Sequence, residues 1–235
     1  MQSFIMAGVL TCVASLNTHA AVIAHDVVVG FAEQTATTGE QKSALNFRPY
    51  LHVVNGCVPF PSVDAAGNVG GGLAPTGGTN AGCSSSVGQV YVRSAWYNGV
   101  WAIMYSWYMP KDEPSSGIGH RHDWENAVVW IDNPDAASPV VLAVSVSEHG
   151  GYSYALAGGV TFSGTHPIVK YESIWPLDHA LFLDDTVSTG TQPLIHWSQL
   201  TSAAQSTLTS YDYGSANVPF KDTNFTNNLA KAWYQ

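Results

Sequence analysis

Short apolar runs separated by turn-forming residues make up the middle of the chain. Residues 90–97 and 100–109 are rich in β-branched and aromatic side chains, and Asn98-Gly99 lies between them. Because a tight two-residue turn needs positive φ at both central positions, Asn-Gly between two such runs predicts a β-hairpin. Further strands are predicted at residues 126–131, 140–147, 152–157 and 168–173. Short strands with regularly spaced turn signals are typical of an antiparallel sandwich or barrel, so the predicted fold class is mainly β.

The remaining pattern predicts long loops and a few peripheral helices. Residues 56–88 are rich in glycine, proline and serine, which predicts a long surface loop. No Gly-Lys-Ser/Thr follows those glycines, so a phosphate-binding loop is a poor interpretation. Helical periodicity is weaker and occurs late, near residues 198–210 and 223–234. The chain has no internal repeat or interdomain linker, so residues 21–235 are predicted to form one domain.

The beginning of the chain has the order of a secretory signal peptide. An apolar run over residues 4–14 is followed by polar residues and by a small residue, Ala20. This order predicts that residues 1–20 are a signal peptide that is cleaved before Ala21. The usual positive charge at the start is missing, since no Lys or Arg precedes Lys42. A membrane anchor is the alternative, but the run is too short to span a bilayer. The protein is therefore predicted to be secreted and extracellular.

Cleavage of that signal would remove Cys12 and leave two cysteines, Cys57 and Cys83. An exported protein meets an oxidising environment, so these two residues are predicted to form one disulfide. Closing a loop of that size stabilises a fold by about 3 kcal/mol in the chain-entropy model. A pair of free thiols is the alternative.

The balance of charges excludes several classes of partner. The chain carries 17 acidic and 8 basic residues, a net charge of −9, and no basic run. Nucleic acid is therefore not an expected partner, and neither is anionic lipid attracted by a polybasic segment. If this protein meets a membrane, something other than bulk charge must guide it. The acidic surface and the lack of heptad repeats predict a monomer in solution.

One short segment concentrates the acidic residues. Four of them lie close together in the sequence: Asp112, Glu113, Asp123 and Glu125. Like charges packed this closely repel one another unless a cation compensates them or water screens them. Asp123 and Glu125 are two residues apart and would share one face of a strand. Simple alternation places His120 on the opposite face, so residues 119–122 must bend if His120 is to join them.

Carboxylates with one imidazole suit a hard or borderline divalent cation, Mg²⁺, Ca²⁺ or Mn²⁺ before Zn²⁺. The zinc signatures His-Glu-x-x-His and paired Cys-x-x-Cys are absent. From spacing alone, two alternatives remain open: a solvated acidic turn, and a glycosidase acid/base pair that includes Asp123 or Glu125. No Gly-x-Ser-x-Gly nucleophile elbow is present.

Residues 119–125, Gly-His-Arg-His-Asp-Trp-Glu, resemble the heptapeptide hallmark of the necrosis- and ethylene-inducing-peptide-like (NLP) family. Residues 102–112, 124–130 and 175–179 are similar to other blocks of that family, and the two-cysteine form resembles its first type. The likeness extends over most of the mature chain. It implies an antiparallel β-sandwich related to actinoporins and fungal lectins.

The resemblance also implies a function. NLP cytolysins are exported by plant-associated oomycetes, fungi or bacteria, and they damage eudicot plasma membranes after binding glycosyl inositol phosphoryl ceramide (GIPC) sphingolipid head groups. They act as toxins and not as enzymes. The family's metal cleft maps here onto four residues: Asp112, His120, Asp123 and Glu125. His179 and Asp178 would approach the cleft from a neighbouring loop, and Trp175 would contact the membrane or the sugar. The expected cofactor is a divalent cation, Mg²⁺ or Ca²⁺ before Mn²⁺ or Zn²⁺.

Other functions stay open beside this one. A metal-assisted glycan hydrolase or lyase would use Asp123 or Glu125 as a base. A carbohydrate-binding protein that only triggers plant immunity would carry the same blocks. For Trp175 the alternative is a core tryptophan. The sequence Asn224-Phe225-Thr226 is a glycosylation acceptor pattern.

Overall fold

The computed structural model describes residues 20–174, 177–186 and 190–235. Within these ranges the strands are β1 Val22–Ile23, β2 Tyr50–Val53, β3 Val69–Gly70, β4 Val90–Tyr97, β5 Val100–Ser115, β6 Ile118–Ile131, β7 Val141–Glu148, β8 Gly151–Leu156, β9 Phe162–Ser163, β10 His166–Ser173, β11 His179–Leu183 and β12 Leu194–His196. The α-helices are α1 Gly39–Asn46, α2 Ser202–Ser210 and α3 Phe225–Ala232. Short 3-10 turns occupy His25–Val27, Ala157–Gly159 and Trp197–Gln199. The predicted signal peptide, apart from Ala20, and Trp175 lie outside the described residues.

Two sheets pack on one hydrophobic core. One sheet has six strands in the order β12-β4-β5-β6-β7-β8, and the other has the order β11-β10-β2 with β9 also paired to β10. Pairing is antiparallel except between β2 and β10, between β4 and β12, and in the small β1–β3 sheet. The prediction of a mainly β, antiparallel sandwich with peripheral helices is confirmed. The parallel pairs join strands that are distant in sequence, so no local pattern predicted them.

The hairpin of β5 and β6 forms the centre of the larger sheet. Its pairing runs from Trp101 opposite Ile131 to Asp112 opposite His120. The predicted strands, which ended at residue 109 and began again at residue 126, were too short. The charged residues between them suggested a loop, but they continue both strands because most of them are buried at the end of the hairpin.

Helices α1 and α2 begin at side-chain caps. Thr201 accepts a hydrogen bond from the backbone N–H of Ala204 at 3.1 Å, and α2 follows it as predicted. In α3, Phe225, Leu229 and Ala232 form the buried stripe that its periodicity predicted. Helix α1 was not predicted, although its capping box of Thr38 and Gln41 is a signal that identifies its start.

A disulfide joins Cys57 and Cys83, as predicted, and closes the loop between them. Both cysteines are buried, and β3 is the regular strand within the loop. The loop lies against the β5–β6 hairpin, since the backbone N–H of Leu73 donates to the carbonyl of Pro110 at 2.8 Å. In the described part of the chain, no helix has both the length and the apolarity needed to cross a bilayer.

Burial of His196 in the core predicts that stability depends on pH. His196 at the end of β12 is 3% exposed, and burial lowers the pKa of its ring to about 4. Since the unfolded chain takes up this proton at about pH 6.5, the stabilising effect of the neutral ring is complete above that pH and is lost toward pH 4. Over this window, wild-type unfolding free energy should fall more steeply than that of His196→Asn, by up to about 1.4 kcal/mol per pH unit. Urea titrations at several pH values measure this difference, and parallel curves for the two proteins would contradict it.

Candidate metal-binding cleft

A cleft of about 300 Å³ opens where the β5–β6 hairpin meets the β7–β8 turn, the start of β11 and the segment that precedes α3. Its lining includes four side chains from the hairpin that the sequence singled out: Asp112, His120, Asp123 and Glu125. Glu148, His149, Asp178 and His179 also line it. The structure thus brings the hairpin residues to one cleft, together with the residues expected from a neighbouring loop.

A bend in β6 places His120 and Asp123 on the same side, as the alternation argument required. His122 has a φ of 63°, in the left-handed region that side chains other than glycine seldom adopt. Its ring is held by the hydroxyl of Tyr108 at 2.6 Å. Gly119 has a φ of 112°, and a side chain there would collide with the carbonyl of Asp112.

The same bend determines which nitrogen of His120 faces the cleft. Nδ1 lies 2.8 Å from the carbonyl oxygen of His122, which can only accept, so Nδ1 carries the hydrogen. In the neutral ring this contact leaves the lone pair on Nε2, which lies 3.8 Å from Oδ2 of Asp112. A neutral imidazole oriented in this way is a suitable metal ligand.

Asp112 is 1% exposed and is held by His179. The backbone N–H of His179 donates to its carboxylate at 3.2 Å, and Nδ1 of the ring lies 2.6 Å from Oδ1. The ring of His179 stacks on Tyr171 with 4.6 Å between centroids, and a Cβ at Gly56 would collide with its far edge. His179 is therefore arranged to orient Asp112, while its second nitrogen is enclosed by the protein.

Asp123 and Glu125 line the same cleft and are also buried. Tyr171 donates to Asp123 at 2.7 Å, and Ser147 donates to Glu125. Burial, and then the negative charge of Asp112, raise the pKa of Asp123 to about 7. Burial and the charge of Asp123 also raise the pKa of Glu125 well above its usual range. These carboxylates therefore need either protons or a cation to balance their charge.

The donor atoms fit a hard divalent cation. Among the described residues, one group of three offers ligand atoms that all lie within 4.8 Å of one another: Asp112, His120 and Asp178. Oxygen donors with one imidazole are typical of Mg²⁺, Ca²⁺ or Mn²⁺ sites. Asp178, which the sequence suggested only as a neighbour, is in this group, whereas Asp123 and Glu125 line the same cleft outside the group.

The cleft also carries hydrogen-bonding groups that the sequence pattern did not predict. The hydroxyl of Tyr152 donates to Asn126 at 2.7 Å, and Asn217 and Asn228 line the wall beside them. Lys231 donates to the carbonyl of Gly150 at 3.2 Å and so links α3 to the β7–β8 turn. Amides and hydroxyls both donate and accept, as sugar hydroxyls do. These residues come from distant segments, so no spacing in the sequence could have grouped them.

Comparison with known sequences finds relatives that match nearly the whole chain. A family model described as Necrosis inducing protein (NPP1) matches residues 41–232. The chain is 54% identical over 230 residues to NLP effector protein 10 of Phytophthora capsici, covering 97% of this chain and 98% of that protein. It is 53% identical over 218 residues to Necrosis-inducing protein NPP1 of Phytophthora nicotianae, covering 91% of each.

Solved structures also resemble this chain over most of its length. NLPPya in complex with mannosamine superposes with a TM-score of 0.86 at 49% identity, covering 92% of this chain and 100% of that one. HaNLP3, described as non-toxic, superposes with a TM-score of 0.85 at 42% identity, covering 89% of this chain and 98% of that one. On this evidence of sequence and fold, the chain belongs to the necrosis-inducing NPP1 protein family.

Proposed function

We propose that this protein is a secreted toxin that binds GIPC sphingolipid head groups through a divalent cation in the cleft and then damages the plasma membrane of eudicot cells. The observation that carries the proposal is the set of buried carboxylates that line one open cleft together with His120, whose Nε2 lies 3.8 Å from Asp112. The complexes of NLPPya with mannosamine and with glucosamine support sugar binding by this family.

In this proposal, Asp112, His120 and Asp178 supply direct ligands, because their donor atoms are already close together. Asp123 and Glu125, which line the same cleft, supply further negative charge that favours a cation. A bound divalent cation would coordinate sugar hydroxyls and offset the charge of the carboxylates. Mg²⁺ and Ca²⁺ are the preferred ions, because most of the donors are oxygen atoms.

Long-range charge does not draw this acidic protein to a phosphate-bearing lipid. With a net charge of −9, the protein repels anionic surfaces at distances within a Debye length, about 8 Å at physiological ionic strength. Recognition therefore depends on contact in the cleft. Ile174 and Leu177, on either side of the proposed membrane contact Trp175, are 55% and 51% exposed, as expected for a segment that meets the headgroup region.

Vesicle leakage tests the proposal directly. Purified mature protein, residues 21–235, should release dye from vesicles that contain GIPC and should leave vesicles of phosphatidylcholine alone intact. A chelator should abolish release, and restoring Mg²⁺ or Ca²⁺ should recover it. Equal release from both vesicle types, or full release in the chelator, would contradict the proposal.

Cation affinity should increase with pH. Below the pKa of about 7 for Asp123, protons compete with the cation, so the affinity should fall by up to about tenfold per pH unit. The pKa of Glu125 is raised as well, so its proton extends the competition to higher pH, and the affinity should level off only when both protons are lost. Titration calorimetry across this range, in buffers of different ionisation enthalpy, measures both the affinity and the protons released. A constant affinity without proton release would contradict the prediction.

Two alternatives use the same cleft. HaNLP3 is described as non-toxic, so a protein that binds sugar and only triggers immunity is the second candidate. Infiltration of eudicot leaves separates the two, since a toxin causes necrosis and an elicitor causes a defence response without it. A glycan hydrolase or lyase would shorten cell-wall oligosaccharides, which mass spectrometry detects. The signal peptide over residues 1–20, the single domain after it and the monomeric state belong to the main proposal.

A further inference from the structure

A buried ion pair lies directly behind the cleft. Lys111 and Glu113 precede and follow Asp112 on β5, so their side chains point to the opposite face of the strand. Both side chains are fully buried and paired with each other. The proposed function assigns no role to either residue.

This pair connects two segments that regular strand pairing leaves apart. The ammonium group of Lys111 also donates to the carbonyls of Thr76 at 3.2 Å and Gly78 at 2.9 Å, both in the loop closed by the disulfide. The second oxygen of Glu113 accepts from the backbone N–H of Gly117 at 3.2 Å, in the turn of the hairpin. The network therefore runs from the loop, through the strand that carries Asp112, to the hairpin turn.

The same loop holds the partner strand. Arg121 lies opposite Lys111 in the β5–β6 pairing, and it donates to the carbonyls of Gly71 at 2.9 Å and Gly72 at 3.1 Å. Strand pairing is irregular at this end, because the register shifts between Asp112 and Ser115. The loop therefore contacts both strands of the hairpin where their hydrogen-bonded pairing is irregular. Asp112 and His120, which line the cleft, lie at this same end of the hairpin.

We infer that Lys111, through Glu113 and the loop carbonyls, is a positioning residue that holds Asp112 and His120 at the separation a divalent cation requires. The inference rests on the proposed function, since it concerns the same cation. Stability alone does not account for the pair, because apolar residues of similar volume often replace a buried ion pair without loss of stability. An apolar pair, however, would not bind the loop carbonyls.

The sign of the change in cation affinity separates positioning from simple electrostatics. Lys111→Met removes a positive charge near the cleft, which by Coulomb interaction alone should strengthen cation binding. Loss of positioning should instead weaken it, by about tenfold or more, as for changes in the groups that orient metal ligands. Titration calorimetry with Mg²⁺ and with Ca²⁺, well below the melting temperature, measures this affinity.

A double variant separates positioning from folding. Lys111→Met alone leaves a buried carboxylate without its partner and should lower the melting temperature by about 10 °C. Lys111→Met/Glu113→Gln removes both charges and should recover most of that loss, while its cation affinity stays low because the loop contacts are still missing. A double variant that binds the cation as tightly as the wild type would overturn the inference.

Two further variants complete the test. Tyr105 is on the same strand as Lys111 but does not line the cleft, and its hydroxyl donates to the carbonyl of Ala44 in α1. Tyr105→Phe removes this hydrogen bond, so it should lower stability and leave cation affinity unchanged. If the Lys111 variants do not fold, Arg121→Met replaces them, because Arg121 is exposed; its affinity should fall severalfold, and an unchanged or higher affinity would overturn the inference. A wild-type protein that binds neither cation would instead refute the proposed function.

Discussion

Replacing Glu125 with glutamine is expected to stabilise the cation-free protein, to remove its response to divalent cations and to abolish membrane damage. The change keeps the shape of the side chain, and the hydroxyl of Ser147 can still donate to the amide oxygen. Burial and the charge of Asp123 raise the pKa of Glu125, so the folded protein must keep a proton on this side chain or bury its charge, and glutamine avoids that cost. The cost begins above the ordinary glutamate pKa of about 4.5 and grows with pH, so at neutral pH the melting temperature of the variant should be higher by several degrees.

Addition of the cation should make the wild type more stable than the Glu125→Gln variant. At a concentration about a hundredfold above its dissociation constant, a cation that binds only the folded state adds about 2.7 kcal/mol to wild-type stability. The Glu125→Gln variant lacks one of the charges that favour this binding, so its melting temperature should hardly change on addition of Mg²⁺ or Ca²⁺. Leakage of GIPC vesicles should fall by at least about a hundredfold, because a metal site that loses affinity also loses its sugar contacts.

Glu172→Gln is the matched control. Glu172 pairs with Lys170 on the surface of β10, so the same chemical change there should alter neither the cation response nor leakage. Higher stability combined with lost activity would rule out misfolding as the cause. Wild-type leakage by Glu125→Gln, or a normal rise in its melting temperature with Mg²⁺, would contradict the prediction.

The sequence predicted the central part of the site because the relevant residues are close together. Asp123 and Glu125 are two residues apart, so strand alternation alone places them on one face. The bend that brings His120 to them was required by the same argument, and the φ of 63° at His122 shows where it occurs. Local alternation also explains why Glu113, one of the four clustered carboxylates, points away from the cleft.

The rest depends on contacts between distant segments, which alternation cannot predict. His179 lies 67 residues after Asp112, and pairing of β11 with β10 places it there. The parallel pairs at β2 and β12 and the loop that supports the hairpin arise in the same way. Lys111 illustrates the difficulty, since a lysine beside two acidic residues suggests a solvated turn, yet its side chain is fully buried. Its ion pair with Glu113 and its hydrogen bonds to the loop carbonyls together explain that burial.

Removal of the disulfide is the second change with a large expected effect. Cys57→Ala/Cys83→Ala opens a loop with a sequence separation of 26 residues, which should lower unfolding free energy by about 3 to 4 kcal/mol through the entropy of the unfolded chain. Denaturant titration in cation-free buffer measures this loss. Alanine is suitable because both cysteines are buried and apolar surroundings tolerate it.

The same variant should bind cations more weakly even at temperatures where it is fully folded. The loop between the cysteines supplies the carbonyls that Lys111 and Arg121 bind, and a loop without its covalent closure holds the hairpin less firmly. Weaker Mg²⁺ binding, by about tenfold, should therefore accompany the loss of stability, as for other supporting contacts of metal ligands. Treating the wild type with a reducing agent should reproduce both effects, whereas reduction of the variant should change nothing. If stability falls as expected but cation affinity does not, the disulfide acts on the unfolded chain alone. The contacts of Lys111 and Arg121 with the loop would then support the cleft whether or not the disulfide is present.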